Sequence, residues 1–314
     1  MYKRQIKVGT NQIFHGFPAS NFDNAFTDDA IKIGFYSVPI PLAKTDYTLK
    51  AFATDKVGNE ESKGFFYRNR SYKPKTHIFD INKEGRKGIF EKLATEYAQQ
   101  IDNFIMNSGA QVATSTTKRS HRDTQLVNEQ LYRYDNQQLD TLLTPKENFR
   151  KKRVWRDVFK KQPGAAKAYF GDTLSFVDND QSIASRKLLG YILQSKNGSG
   201  VVAANDGFVL FADELGTYGK MIILDHGQGI TSIYAWLQAL TVVEGARVQT
   251  GDIIGAVGKS GFGNGEEFLF EMRLQGTPVD PIEWWDARWV KDHIFDKIEE
   301  VKKGLGMRKI VPLR

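Results

Sequence analysis

The segment Tyr218-Gly219-Lys220-Met221-Ile222-Ile223-Leu224-Asp225-His226-Gly227, with Ser232-Ile233-Tyr234-Ala235-Trp236-Leu237 close behind it, decides the fold. Both stretches are dominated by β-forming residues and sit in a region rich in glycine. Outward from them the same grain continues, with strands expected at 201–204, 207–212, 220–225, 231–237, 253–257 and 268–274. Turn signals such as Asn205-Asp206-Gly207 and Gln275-Gly276-Thr277 separate them. Strands this short, with turns this frequent, argue for an antiparallel sandwich or open barrel over 166–284.

The flanking regions differ from this core. Residues 1–72 read as a small β domain: Tyr47, Leu49, Ala51 and Ala53 alternate with Thr48, Lys50 and Phe52, a period of two broken only by Phe52. Asp55-Lys56-Val57-Gly58-Asn59 reads as a turn, and Phe65, Phe66 and Tyr67 as the start of a return strand. Residues 73–165 read as a helical connector. Ile89, Leu93, Tyr97, Ile101 and Ile105 make a helical stripe within 87–106, and 124–143 is also helical in composition. The polar run 115–122 between them is expected as an exposed loop. Residues 285–314 are expected as an amphipathic helix and tail, the helix beginning near Glu283, with Trp285, Trp289, His293 and Asp296 at helical spacing.

Composition narrows the function classes. The 314 residues are 40% hydrophobic and 26% charged, a globular balance. With no cysteine, disulfides, thiolate metal sites and a thiol nucleophile are excluded. The net charge of +7 favours anionic partners. Much of it lies in the run 146–161 (KENFRKKRVWRDVFKK), whose plain reading is a solvated helix face or linker. No stretch approaches the ~20 apolar residues of a membrane span. The opening Met1-Tyr2-Lys3-Arg4-Gln5 enters a β-rich pattern at once. The expectation is a fragment whose export signal, and any membrane anchor, lies upstream.

Four landmarks then occur in order: Val201–Val209 (VVAANDGFV), Tyr218–Gly227, Ser232–Leu237 and Val243–Gly255 (VEGARVQTGDIIG). Their succession resembles the lysostaphin-type, or LytM-type, zinc peptidase domain, over roughly 164–285. Asp55 and its neighbours similarly resemble the closing hairpin of bacterial immunoglobulin-like modules. The resemblance implies a mainly β fold: an immunoglobulin-like β-sandwich at 1–72, a helical connector at 73–165, a LytM-type antiparallel β sandwich or open barrel at 166–284, and a C-terminal helix.

In active members of that family a His-x-x-x-Asp element and the second His of a His-x-His strand hold zinc. The first His of that strand, with a His in a Tyr-x-His-Leu strand, assists catalysis. Zinc needs such N and O ligands at about 2.0–2.2 Å, and lowers the pKa of its bound water to about 7. This sequence departs at each position. Leu188 stands at the zinc His, Ile192 at the zinc Asp and Leu269 at the second His of the strand; Trp236 and Glu267 replace the two catalytic histidines. No metal and no cofactor are expected. His226 is expected to cap a strand, and Glu267 and Glu271 to face solvent or to pair with Arg273 and Arg247. His15, His77, His121 and His293 are expected at the surface. Leu188, Ile192, Trp236 and Leu269 are expected to converge as an apolar plug. A residual peptide groove is expected around Tyr234, His226, Phe262, Asn264 and Glu271, along the glycine-rich loop 261–265.

The resemblance thus implies a pseudoenzyme of the bacterial envelope, periplasmic and membrane-anchored at full length, which binds peptidoglycan or regulates a cell-wall hydrolase. The alternative is an active zinc metalloendopeptidase that cleaves peptidoglycan cross-links through a shifted site. A nucleic-acid partner is not expected, because no recognition motif accompanies the basic run.

Overall fold

Alternate residues of a strand face opposite sides of its sheet. Along Met221-Ile222-Ile223-Leu224 and Phe268-Leu269-Phe270 both sets are apolar and buried, so both faces of one sheet are covered. The computed structural model describes residues 3–9, 12–38, 49–55, 57–64, 73–83, 85–109, 118–143 and 150–307. Its central sheet runs Arg247–Val248, Gly207–Leu215, Gly219–Asp225, Ile230–Leu240, Glu267–Leu274, Tyr191–Gln194 and Ala165–Ala168. The pairs along this path are antiparallel. Gly200–Val202 and Ile253–Val257 extend it beside Ile230–Leu240, and Thr277–Val279 hairpins onto Glu267–Leu274. The six expected strands of this region are all present. Ala165–Ala168, Thr173–Asp178, Gln181–Lys187 and Tyr191–Gln194 are additional to them.

One face packs against the N-terminal strands and the C-terminal helices. Lys3–Val8 pairs with Gln12–His15 on one side and Leu49–Thr54 on the other, and Glu60–Gly64 completes an antiparallel sheet of four. The turn before Glu60 forms as expected: Asp55 Oδ1 accepts the N–H of Val57 and of Asn59, each at 2.9 Å. Tyr47, Thr48 and the expected return strand from Phe65 lie outside the described residues. After the hairpin the C-terminal segment forms a short helix at Pro281–Trp285, breaks at Asp286 (ψ 106°), and then runs as one continuous helix from Ala287 to Gly304 through a wider turn at Lys291–Phe295. Basic residues 150–161 form no helix; they cross the sheet end as an extended strap, and 146–149 lie outside the described residues.

The opposite face carries a helical cover. Here α1 (Arg86–Glu96) and α2 (Ala98–Ser108) replace the single helix expected, with a break at Tyr97, whose φ of −107° and ψ of 21° leave the helical region. Then α3 (Arg119–Gln125) continues through a wider turn at Leu126–Leu131 into α4 (Tyr132–Leu143). Thus 119–122 is helix rather than loop, while 115–117 lie outside the described residues. The cover rests on a small sheet in which Thr76–Asp80 runs parallel to Thr173–Asp178, which pairs in turn with Gln181–Lys187. This pairing ties a strand of the expected connector to the expected peptidase-like region. Two histidines reinforce it. His77 Nε2 meets Asp172 Oδ2 at 2.7 Å, and His121 Nε2 meets Asp178 Oδ2 at 2.6 Å. The surface placement expected for His121 is therefore wrong: it is buried, held by a carboxylate that also accepts from Asn82. His15 and His293 are exposed as expected.

Trp155 joins three parts of the chain. Its ring lies 5.8 Å from Phe22, 5.9 Å from Trp284 and 5.9 Å from Phe295, centroid to centroid. Truncating so large a buried ring removes contacts on every side, at about 3–5 kcal/mol. Trp155→Ala is expected to lower the urea midpoint by that equivalent; a loss below about 1 kcal/mol would show that these parts do not depend on this contact.

Candidate functional site

The site is built where the central sheet meets the helical cover. Ile192 lies directly opposite Leu269 across two adjacent strands. Leu188 follows the hairpin Thr173–Lys187 and is fixed there by its N–H, which donates to the Asp172 carbonyl at 2.9 Å. Trp236 sits in a left-handed backbone conformation, φ 67°, inside the strand Ile230–Leu240. That conformation is uncommon for a bulky residue and costs energy. Here it is held by the indole N–H, which donates to the Thr217 carbonyl at 3.1 Å. The Phe262 N–H donates to the same carbonyl at 3.0 Å. A Cβ on Gly263 would lie 2.6 Å from the Trp236 Cβ, so the glycine-rich loop closes on the ring only because that residue is glycine.

Leu188, Ile192, Trp236 and Leu269 share one apolar core with Phe90, Phe176 and Phe262, and none is more than 5% exposed. Of the four, Ile192 and Leu269 are direct cross-strand partners, and Leu188 and Trp236 are buried in the same cluster. Each large apolar side chain buried here contributes about 1.5–3 kcal/mol. Phe90 of α1 stands edge-on to Phe176 at 5.3 Å and to Phe262 at 5.4 Å, so the cover reaches the centre of the plug.

Glu267 is not solvent-facing, contrary to expectation. It is buried, and its carboxylate forms an ion pair with Arg86, the first residue of α1. Lys167 Nζ lies 3.4 Å from its other oxygen. Arg86 Nη1 also donates to the Phe262 carbonyl at 3.0 Å, and its guanidinium lies 4.5 Å from the centre of the Phe79 ring. An unpaired carboxylate at this depth would be costly, so the cationic partners are what permit it.

Glu271 is buried too, and it pairs with Arg273, the second of the two expected alternatives: Arg273 Nη2 donates to Glu271 Oε2 at 2.9 Å and to Asn136 Oδ1 of α4 at 3.1 Å. The Tyr218 hydroxyl lies between them, 3.2 Å from Glu271 Oε1 and 3.1 Å from Arg273 Nη2. Nearby, Asp135 of α4 accepts the N–H and hydroxyl of Thr217 at 2.7 and 2.6 Å. A Cβ on Gly216 would lie 2.2 Å from Asp135 Oδ1, so this turn admits the carboxylate only because it is glycine. Burial pushes the Asp135 carboxyl up to about 6, against the lowering effect of Thr217.

The five residues expected to line a groove do not meet. Tyr234 and His226 lie on the other face of the sheet, while Phe262 and Glu271 lie under the helical cover; Asn264 is half-buried in the loop beyond Phe262. The period of two explains the split. His226 is a buried structural group. Its Nδ1–H donates to the Asp206 carbonyl at 2.7 Å, its Nε2 accepts from the Ser232 hydroxyl at 2.7 Å, and burial pushes its pKa down to about 4.

Zinc does not fit these residues. The three positions that the family resemblance assigns to zinc hold buried aliphatic side chains, and the carboxylate at Glu267 is committed to Arg86 and Lys167. Among the described residues no group of three or more His, Asp or Glu side chains gathers elsewhere. Sequence reasoning missed Arg86, Lys167 and Asp135. No local signal marks them: Arg86 stands 181 positions from Glu267.

Comparison with known proteins agrees with the sheet region. Residues 186–281 match Peptidase family M23. The murein hydrolase activator EnvC of Escherichia coli is 37% identical over 95 residues, 30% of this chain and 23% of EnvC. The DD-carboxypeptidase/endopeptidase Mpg of Neisseria meningitidis is 36% identical over 85 residues, 27% of this chain and 20% of Mpg. The chain thus spans less than a quarter of the length of these curated relatives. A solved putative peptidase M23 from Pseudomonas aeruginosa aligns with 91% of this chain and 88% of its own at 15% identity, TM-score 0.45.

Two predictions test this site. Arg86→Ala leaves Glu267 under-compensated and is expected to cost about 3–5 kcal/mol in urea unfolding, whereas Arg86→Met with Glu267→Leu returns to within about 1 kcal/mol of the parent; a neutral Arg86→Ala would contradict the pairing. The second concerns pH. With its folded pKa raised to about 6 from 3.8, Asp135 penalises the folded state above pH 6, and the penalty is relieved as pH falls through 6. Asp135→Asn is therefore expected to be more favourable relative to the parent at pH 8 than at pH 4.5, by about 2–3 kcal/mol. Equal effects at the two pH values, read by thermal melting, would place the carboxyl outside the buried interface.

Proposed function

We propose that this chain, whose residues 186–281 form a Peptidase family M23 domain with hydrocarbon at the metal positions, is a non-catalytic envelope protein that binds peptidoglycan or regulates a cell-wall hydrolase. The observation that carries this reading is the joint burial of Leu188, Ile192 and Leu269 beside a carboxylate locked by Arg86. Hydrolysis of a cross-link by a zinc-peptidase mechanism needs a polarising metal and an activated water. These side chains offer ligands for neither.

The name of EnvC, a murein hydrolase activator, supports a regulatory role for a relative of this domain. Binding through the former cleft requires a peptide to displace Phe90 and Arg86 first, because both lie in it. The outer surface of the cover is the alternative contact. We place the protein in the bacterial envelope on the same grounds. Among the described residues no helix is long and apolar enough to cross a membrane.

The test uses purified protein, isolated murein sacculi and a murein amidase. Expected are less than stoichiometric zinc after dialysis, no release of labelled murein by the protein alone, and either co-sedimentation with sacculi or stimulation of the amidase. Stoichiometric zinc with self-sustained cross-link cleavage would overturn the reading in favour of an active peptidase. Failure of both binding and stimulation would overturn it as well.

A further inference from the structure

The basic strap plays no part in the M23 site, yet it is built to a fixed shape. Residues 150–161 carry seven basic and one acidic side chain. Their backbone is nailed to the end of the central sheet at several points. The Gln228 N–H donates to the Arg150 carbonyl at 2.8 Å, the Val154 N–H to the His226 carbonyl at 2.8 Å, and the Lys160 N–H to the Ala204 carbonyl at 2.7 Å. The side chain of Asn205 clasps Arg156 from both sides, accepting its N–H at 2.9 Å and donating to its carbonyl at 2.8 Å. Trp155 and Phe159 point inward and are buried.

This anchoring sorts the cations. Arg150 is spent over the Phe208 ring at 3.4 Å, and Arg153 over Phe22 at 4.3 Å. Lys151, Lys152, Lys160 and Lys161 remain exposed, as does Arg156, which reaches Asp206 at 3.1 Å. A Cβ on Gly251 would lie 3.2 Å from Lys160 Nζ, which sets the loop 249–253 beside the strap. That loop ends in Ile253, 63% exposed, and Thr241 hydrogen-bonded to Ile253 leads to Val243, 72% exposed. Four exposed lysines on an anchored strap, with Lys160 beside the loop that leads to Ile253, suit an anionic interface with a shallow apolar layer, and they outnumber the exposed carboxylates Asp157, Glu244 and Asp252 in the same segments. The arrangement does not suit single-stranded nucleic acid, for which exposed aromatic rings would be needed, and the strap's rings face the core.

We infer that this end of the molecule binds an anionic phospholipid surface, with Lys151, Lys152, Lys160 and Lys161 facing the headgroups and Ile253 and Val243 at the apolar margin. Pre-ordering of the strap means that little conformational freedom is lost on contact. The attraction is electrostatic and weakens as salt is raised.

Co-sedimentation of the whole chain with vesicles tests the inference. Vesicles of phosphatidylglycerol and phosphatidylcholine are compared with phosphatidylcholine alone. The parent is expected to sediment with the anionic vesicles only. The quadruple Lys→Gln variant at 151, 152, 160 and 161 is expected to lose on the order of 600-fold in apparent affinity, at about fivefold per cation. A control with the same charge change elsewhere, Lys→Gln at 92, 291, 297 and 303, is expected to stay within a few-fold of the parent. Absence of parent binding, or equal loss in both variants, would overturn the inference. So would displacement of the parent from vesicles by duplex DNA at equal phosphate, since that would identify a nucleic-acid surface.

Discussion

Burial of the strand Glu267–Leu274 along its whole length is the constraint on which the rest of the structure depends. All eight of its residues are buried. A strand with no exposed residue needs a cover on each face: one cover joins the two ends of the chain, and the other comes from its middle. The N-terminal strands, the basic strap and the C-terminal helices take the face of Phe268, Phe270 and Met272. Helices α1 to α4 and the small mixed sheet take the face of Leu269. In a zinc peptidase of this family the second face would hold the metal and admit substrate. Here it carries a packed interface, so the side chains that replaced the ligands are also the side chains that seat the cover.

The chemistry of the replacement is consistent at that level. A metal centre needs deprotonated ligands and an open coordination position. An interior needs hydrocarbon, with each remaining polar group paired. Leu188, Ile192 and Leu269 meet the second requirement directly, and Trp236 meets it through one indole hydrogen bond to the Thr217 carbonyl. The charges that persist, on Glu267 and Glu271, are answered by Arg86, Lys167 and Arg273. Pairs of this kind add little net stability over apolar replacements, but they fix which helix docks where, since a misplaced helix would strand a buried charge.

Much of the sheet was legible in the sequence, because its strands announce themselves by β-forming residues between glycine turns. Ala165–Ala168 and Gln181–Lys187 were not: one is built of small residues and the other is mostly polar, so neither carries an apolar period. Thr76–Asp80 escaped for a different reason. It pairs in parallel with a strand nearly a hundred positions away, and no local pattern reports such a partner. The assignment of Leu188, Ile192, Leu269, Trp236 and Glu267 to the metal and catalytic positions comes from the family resemblance. Their surroundings were not legible, since Arg86 and Phe90 arrive from a helix whose own stripe, Ile89 and Leu93, reads as ordinary core. Strand parity separates two residues of the expected groove, because Tyr234 is paired with Phe270 and Glu271 with Ile233, which puts them on opposite faces of the sheet.

The central claim is that the former metal centre is a closed interior. Native-state amide hydrogen exchange measures this most directly, because solvent reaches a closed interior only when the structure opens. The account predicts that amides in 190–193 and 267–272 exchange with an opening free energy equal to that of global unfolding. Fast exchange of these amides under native conditions, while Met221–Leu224 stays protected, would contradict it and show an open cleft.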